Sequence, residues 1–185
     1  MTRASSPLGG FGVFATRKIP RFTRVIAKWH EEFCRNLDGW ISLTAHQVQH
    51  LPGERKKLFL QYGLDQDFNW IIGPSDPEWV TTFDNFINHS CQPNLGYDEL
   101  GNVVALRDIE GAGELLIDYG FFSINFDEPF QCLCGARDCR GRVTREDWKL
   151  LAPRYGLNLP RFLHEAVRKA RHSGDSGRNG ALQNR

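Results

Sequence analysis

The sequence predicts a mainly β (α+β) fold of short sheets, with a helical insertion and further helices near the C-terminus. Three observations lead there. The apolar runs are only three or four residues long, which suits short strands better than core helices. Glycine and proline punctuate most of the intervals between them. Helix-start signals are confined to a few places, near residues 44, 144 and 160.

The opening Leu8-Gly9-Gly10-Phe11-Gly12-Val13-Phe14-Ala15-Thr16 puts a glycine turn before an apolar run, and Pro20-Arg21 supplies a turn before the next run, Arg24-Val25-Ile26-Ala27. Residues 43–62 change character. Thr44 can cap a helix with Gln47 at the third position, while Leu43 and Val48 form the flanking apolar staple. Pro52-Gly53 should divide this helix in two, and Gly63 is expected to end the second piece in a left-handed conformation. Short strands return at Trp70-Ile71-Ile72, Val103-Val104-Ala105-Leu106 and Leu115-Leu116-Ile117. Thr144 with Asp147 makes a second capping box, stapled by Val143 and Trp148. A last amphipathic helix is expected from Pro160, with Phe162, Leu163, Ala166, Val167 and Ala170 on one side. Residues 173–185 hold almost nothing to bury and are expected to be disordered.

At 185 residues the chain has room for one domain with a hydrophobic core plus appendages. No stretch approaches the roughly 20 apolar residues of a membrane span, and the N-terminus lacks a signal-peptide core. A soluble intracellular protein without a membrane partner is expected, cytoplasmic or, in a eukaryote, nuclear. Lys plus Arg number 23 against 22 Asp plus Glu, so direct nucleic-acid binding is not expected. Residues 161–185 hold six basic and two acidic residues, which leaves the body with a net charge of −3 that would not repel a cationic lysine-bearing peptide.

Five cysteines stand at positions 34, 91, 132, 134 and 139. Three within eight residues, in a chain with no export signal, favour metal over disulfides. Two cysteines one residue apart hardly bridge each other, but both thiolates can face one tetrahedral ion. Cys132, Cys134 and Cys139 supply three soft ligands, and a closed structural zinc site uses four. Cys34 has no such neighbour and reads as a buried thiol.

The segment Asn88-His89-Ser90-Cys91-Gln92-Pro93-Asn94 is turn-rich and holds more hydrogen-bonding groups than a connector needs. Taken alone it is a side-chain-stabilised loop. Taken alone, Gly10-Phe11-Gly12 is a strand turn that lacks the helix-opening G-x-G-x-x-G pattern, and Tyr119 is a core or rim aromatic. Together and in order these stretches resemble the SET-domain family. Its signature includes a Gly-x-Gly near the start, an Asn-His-Ser-Cys-x-Pro-Asn segment and an Asp-Tyr after a final strand, here Gly113-Glu114-Leu115-Leu116-Ile117-Asp118-Tyr119-Gly120. The family's post-SET cysteine motif is matched by Cys132-Leu133-Cys134-Gly135-Ala136-Arg137-Asp138-Cys139-Arg140-Gly141. The resemblance covers roughly residues 8–142.

It implies a SET β-fold in which the Asn88 segment is threaded, knot-like, beneath the segment ending at Tyr119. The divisions it implies are a SET catalytic domain over 8–122, a post-SET zinc module over 128–142, C-terminal helices over 143–172 and the tail. The implied activity is that of a protein-lysine N-methyltransferase moving a methyl group from S-adenosylmethionine to a lysine of a protein or peptide. Gly10, Phe11, Gly12, Asn88, His89 and Tyr119 would hold this cofactor, with Leu133 or Phe130 near its adenine. Cys91 would complete a structural zinc site with Cys132, Cys134 and Cys139.

Tyr119 would be catalytic. Methyl transfer from a sulfonium to an amine is an in-line displacement, so alignment and electrostatics must supply most of the acceleration. The amine must be neutral, which an apolar channel favours by desolvation. Channel candidates are Tyr62, Trp70, Phe86, Tyr97, Phe121 and Phe122. The family often has a tyrosine or phenylalanine two residues before the catalytic tyrosine; this chain has Ile117, which leaves the number of methyl groups open. The alternative is a SET-like, zinc-stabilised interaction module without activity. Histone and non-histone substrates both remain open, as does the oligomeric state.

Overall fold

A computed structural model describes residues 1–27 and 39–176, without the side chains of 171–176; Cys34 and residues 177–185 lie outside it. Strands β1 (Thr2–Ser5), β2 (Phe11–Phe14), β3 (Arg24–Ile26) and β4 (Trp40–Thr44) lead into helices α1 (Ala45–Gln49) and α2 (Gly53–Tyr62). β5 (Leu64–Asp65), β6 (Trp70–Pro74), β7 (Asn88–His89), β8 (Leu95–Tyr97), β9 (Val103–Ala105) and β10 (Leu116–Ile117) follow. The hairpin β11 (Phe130–Gln131) and β12 (Arg142–Val143) precedes α3 (Asp147–Tyr155) and α4 (His164–Ser176).

Among the described residues these strands form small sheets in the orders β1-β2, β3-β9-β8, β4-β6-β5, β10-β7 and β11-β12. This is the expected mainly β architecture with helices added. The pair β7 and β10 runs parallel, whereas the other pairings are antiparallel. The β1 strand, too polar to be read from sequence, pairs along its length with β2.

Short apolar runs suffice because several sheets share one core. Val13, Leu95, Tyr97, Val103, Ala105, Leu115 and Phe121 are fully buried in a cluster that reaches α3 through Leu151 and α4 through Val167. A second cluster, built on Val48, Phe59 and Ile71, underlies the helical insertion.

The insertion begins as expected. Gln47 N–H donates to Thr44 Oγ1 (3.2 Å) and Thr44 N–H donates to Gln47 Oε1 (2.8 Å), a reciprocal capping box. Gly63 departs from expectation: it is extended (φ −70°, ψ 151°), not left-handed. The chain passes straight from α2 into β5, and glycine is needed because a Cβ there would strike the carbonyl oxygen of Phe59. The second capping box also differs. Thr144 donates its hydroxyl to Asp147 Oδ1 (2.6 Å) and α3 starts only at Asp147, whose other carboxylate oxygen is taken by Arg140. A 3₁₀ turn, Arg161–Leu163, follows Pro160, and α4 runs to Ser176.

The parallel pair places the site. Asn94 crosses between the two segments, its Nδ2 donating to the Glu114 carbonyl (2.7 Å) and its Oδ1 accepting from Leu116 N–H (2.8 Å). Ser90 N–H donates to the Ile117 carbonyl (3.0 Å). Asn88-His89 and Asp118-Tyr119, 30 residues apart in the chain, are thereby fixed side by side.

Candidate active site and metal centre

The Gly9-Gly10 turn uses positive φ at both residues (+100° and +62°) to bring β1 back along β2. Beyond it, Asn88 Nδ2 donates to the Phe11 carbonyl and to Glu114 Oε1, each at 2.9 Å, and Ser6 Oγ donates to the same carboxylate oxygen at 2.8 Å. A Cβ on Gly12 would collide with the Glu114 carboxylate. The glycine therefore makes room for the half-buried Glu114 carboxylate. Glu114 is a site residue that the sequence reading did not single out.

His89 is buried beside Cys91, between the rings of Tyr119 and Phe130. Its Nδ1 accepts the backbone N–H of Tyr119 (3.1 Å), which puts the ring proton on Nε2, where it faces Cys91 Sγ at 3.4 Å. Burial lowers the His89 pKa to about 4; the nearby Asp118 opposes this and Arg140 reinforces it. The imidazole is neutral at pH 7.

Tyr119 donates its hydroxyl to the Ile87 carbonyl at 2.8 Å. Burial, with a smaller contribution from neighbouring Tyr62, pushes this phenol up to about 12. Its ring packs against His89 (5.4 Å between centroids), Phe122 (5.6 Å) and Phe130 (5.8 Å). Phe130 also meets His89 edge to face at 5.5 Å. Of the two candidates from the cysteine module, Phe130 is thus brought to the site, whereas Leu133 is 79% exposed.

A cavity of about 390 Å³ opens in front of Tyr119, walled by Tyr62, Ile87, Ile117, Phe122 and Phe126. Two of the six channel candidates, Tyr62 and Phe122, line it. Tyr97 and Phe121 are fully buried in the core. Phe86 packs edge to face on Phe11 (6.4 Å) beneath the Arg3 guanidinium, and Trp70 is 42% exposed on β6.

The four cysteines come together as thiols, with Cys91 Sγ 3.8 Å and Cys139 Sγ 3.6 Å from Cys132 Sγ. These separations are far from a disulfide bond, but they match the edge of about 3.8 Å in a tetrahedron with metal–sulfur bonds of about 2.3 Å. Ligand atoms of His89, Cys91, Cys132 and Cys134 all lie within 4.8 Å of one another. Backbone N–H groups point at the sulfurs: Cys91 N–H at Cys134 (3.5 Å), Arg140 N–H at Cys91 (3.4 Å) and Gly141 N–H at Cys139 (3.4 Å). Burial opposes ionisation of Cys134, but N–H groups of Cys91 and Ala136 and the adjoining thiols outweigh it and bring its pKa down to about 6. Burial pushes the Cys91 and Cys132 thiols up. Donor type, spacing and the N–H groups aimed at the sulfurs all fit a soft tetrahedral ion.

The SET-domain family model matches residues 10–120. A histone-lysine N-methyltransferase of Arabidopsis thaliana, ATX2, is 44% identical over 67 residues, covering 32% of this chain and 6% of that protein. H3 lysine-4 specific histone-lysine N-methyltransferases of Aspergillus oryzae and Emericella nidulans are 32% identical over 151 residues and 44% over 107. Those alignments cover 71% and 50% of this chain, but only 12% and 8% of the relatives. The chain therefore spans about a tenth of the length of the curated relatives it matches. No helix among the described residues is long and apolar enough to cross a membrane.

Proposed function

Since the chain belongs to the SET-domain family, we propose that it is a protein-lysine N-methyltransferase using S-adenosylmethionine, with Tyr119 as the catalytic residue. The observation that carries this reading is the Tyr119 hydroxyl at the inner wall of an apolar cavity, its proton committed to the Ile87 carbonyl. The oxygen lone pairs are left to accept an N–H from a substrate amine. That contact orients the amine without removing its nucleophilic pair. Apolar walls at Ile87, Ile117, Phe122 and Phe126 favour the neutral amine by desolvation, against the opposing pull of Asp84 and Glu128, which line the same cavity.

The cofactor would supply an electrophilic methyl group on a sulfonium. The residues that would hold it are the Gly10-Phe11-Gly12 turn, Asn88, His89, Tyr119 and the cysteine module through Leu133 or Phe130. Support comes from the exposed apolar faces of Phe11 (54%), Phe130 (38%) and Leu133 (79%), and from the open space that a Cβ on Gly10 would meet. Asn88 would act by holding the turn, since its amide hydrogens already bond Phe11 and Glu114.

Zinc would be held by Cys91, Cys132, Cys134 and Cys139. His89 is the other donor within reach, but its Nε2 carries the proton and so would support the Cys91 thiolate by a hydrogen bond instead of binding the ion. The ion would join the hairpin β11-β12 to the segment after β7.

The substrate is proposed to be a histone or another lysine-bearing protein, by likeness to the three relatives. The inactive-module alternative is not favoured, because the turn, the His89 contact and the Tyr119 hydroxyl are all in place. The deciding experiment incubates the protein with labelled S-adenosylmethionine and recombinant histone H3 or a protein lysate, then locates the label by mass spectrometry. Label on lysine side chains supports the reading. Absence of label from a folded, zinc-loaded protein that binds the cofactor overturns it.

A further inference from the structure

Arg140 stands between Cys139 and Gly141 and reaches away from the sulfurs into the body of the protein. Its Nη1 and Nη2 donate to Asp118 Oδ2 and Oδ1 at 2.7 and 2.6 Å, and its Nε donates to Asp147 Oδ2 at 2.8 Å. Asp118 is fully buried, Asp147 is 4% exposed, and the Arg140 side chain is 19% exposed. The backbone N–H of the same residue donates to Cys91 Sγ. One residue thus touches the cysteine cluster, the acid immediately before Tyr119 and the first residue of α3.

Asp118 is more than a counter-charge. Its Oδ1 accepts the Gly120 N–H (2.9 Å), capping the 3₁₀ turn Tyr119–Phe121 that carries the tyrosine. The turn is also pressed by α3 from the other side. A Cβ on Gly120 would lie 2.8 Å from Asp147 Cβ and 3.1 Å from Leu151 Cδ1, and Phe121 packs edge to face on Tyr155 at 5.0 Å. A fork of fixed geometry holding two buried carboxylates resists displacement in a way that a single flexible ammonium cannot.

We propose that Arg140 is a positioning residue, and that through Asp118 and Asp147 it makes α3, which lies beyond the matched family segment, part of the apparatus that aims the Tyr119 hydroxyl. The inference rests on the reading of Tyr119 as catalytic. Reacting groups displaced by about 1 Å can lose on the order of 10²-fold in rate, so a partial loosening of this clamp should be visible in turnover.

Arg140→Lys keeps the charge and loses the fork; Asp147→Asn keeps the Arg140–Asp118 pair and weakens the link to α3. Both are compared with the unaltered protein for zinc content, cofactor dissociation constant, kcat and KM on recombinant histone H3, and amide hydrogen exchange over residues 117–122. The expected result is about a tenfold fall in kcat for Arg140→Lys and about threefold for Asp147→Asn. KM, zinc content and cofactor affinity should stay within twofold, and exchange at Gly120 should be faster in both. Unchanged kcat in folded variants overturns the inference, even where exchange quickens, because Arg140 is then a structural tie alone. If Arg140→Lys fails to fold or to keep zinc, Asp147→Asn decides. If the unaltered protein transfers no methyl group, the proposed function fails. In that case faster exchange over 117–122 with zinc retained still supports the clamp, and unaltered exchange overturns it.

Discussion

The hydroxyl of Tyr119 is bonded to the backbone carbonyl of Ile87, one residue before the Asn88-His89 segment, at 2.8 Å. The contact ties the tip of the tyrosine to one chain segment while its backbone N–H is tied to His89 in the same segment. Ring and main chain are thus both fixed by residues about 30 positions away.

Replacing Tyr119 with phenylalanine deletes this hydroxyl and keeps the ring contacts with His89, Phe122 and Phe130. Turnover should fall by about 10²-fold or more, the scale of removing one preorganised polar contact in a transition state. Cofactor affinity should stay within a few-fold. Steady-state kinetics with a thermal melt checks this; a folded variant with normal turnover would reduce Tyr119 to a rim aromatic.

Burial keeps the Tyr119 phenol neutral and raises its pKa from 10 to about 12. The folded state therefore holds this proton more tightly than the unfolded state. Its stabilising contribution is complete below pH 10 and is lost as pH rises from there to about 12. Methyl transfer should rise with pH as the substrate amine loses its proton, with no descending limb from Tyr119 below about pH 10, the value of a free phenol. A tyrosinate absorbance titration of the unaltered protein and Tyr119→Phe should differ by one late-titrating phenol. A difference near pH 10 would contradict the burial argument.

One zinc per chain is expected, lost or much weakened in Cys91→Ser. Structural zinc contributes on the order of 10 kcal/mol, so chelation should loosen the hairpin β11-β12 and lower the melting temperature. Metal analysis after mild purification tests the assignment, and full zinc retention in Cys91→Ser excludes Cys91 as a ligand.

Asn88→Ala removes both amide donors from the Phe11 carbonyl and the Glu114 carboxylate. Loss of a hydrogen bond at a part-exposed site costs about 0.5–1.5 kcal/mol, so cofactor affinity should drop by roughly that amount through loosening of the turn. Gly12→Ala should act on the same place by displacing Glu114. Calorimetric titration with S-adenosylmethionine measures both, and normal affinity in the two variants would separate this turn from the cofactor.

The sequence by itself determined the elements that depend on near neighbours. The Thr44-Gln47 capping box is a contact across three residues, and glycine, proline and short apolar runs set strand breaks locally. Its motifs also carried the family, because ordered short matches can be read without knowing how the chain folds. Tertiary structure decided what those residues face. Gly63 was readable as a glycine a helix end would favour, yet its reason is the Phe59 carbonyl across the turn into β5. Asp147 was readable as half of a capping box, yet its carboxylate serves Arg140. Phe130 and Leu133 looked equivalent until the β11-β12 pairing placed one ring against His89 and left the other side chain in solvent. Periodicity encodes only which face of an element is apolar. The partners of Asn88, His89, Tyr119 and Arg140 were fixed by the parallel pairing of β7 with β10 and by the gathering of Cys91 with the C-terminal cysteines, contacts between residues 22 to 77 positions apart.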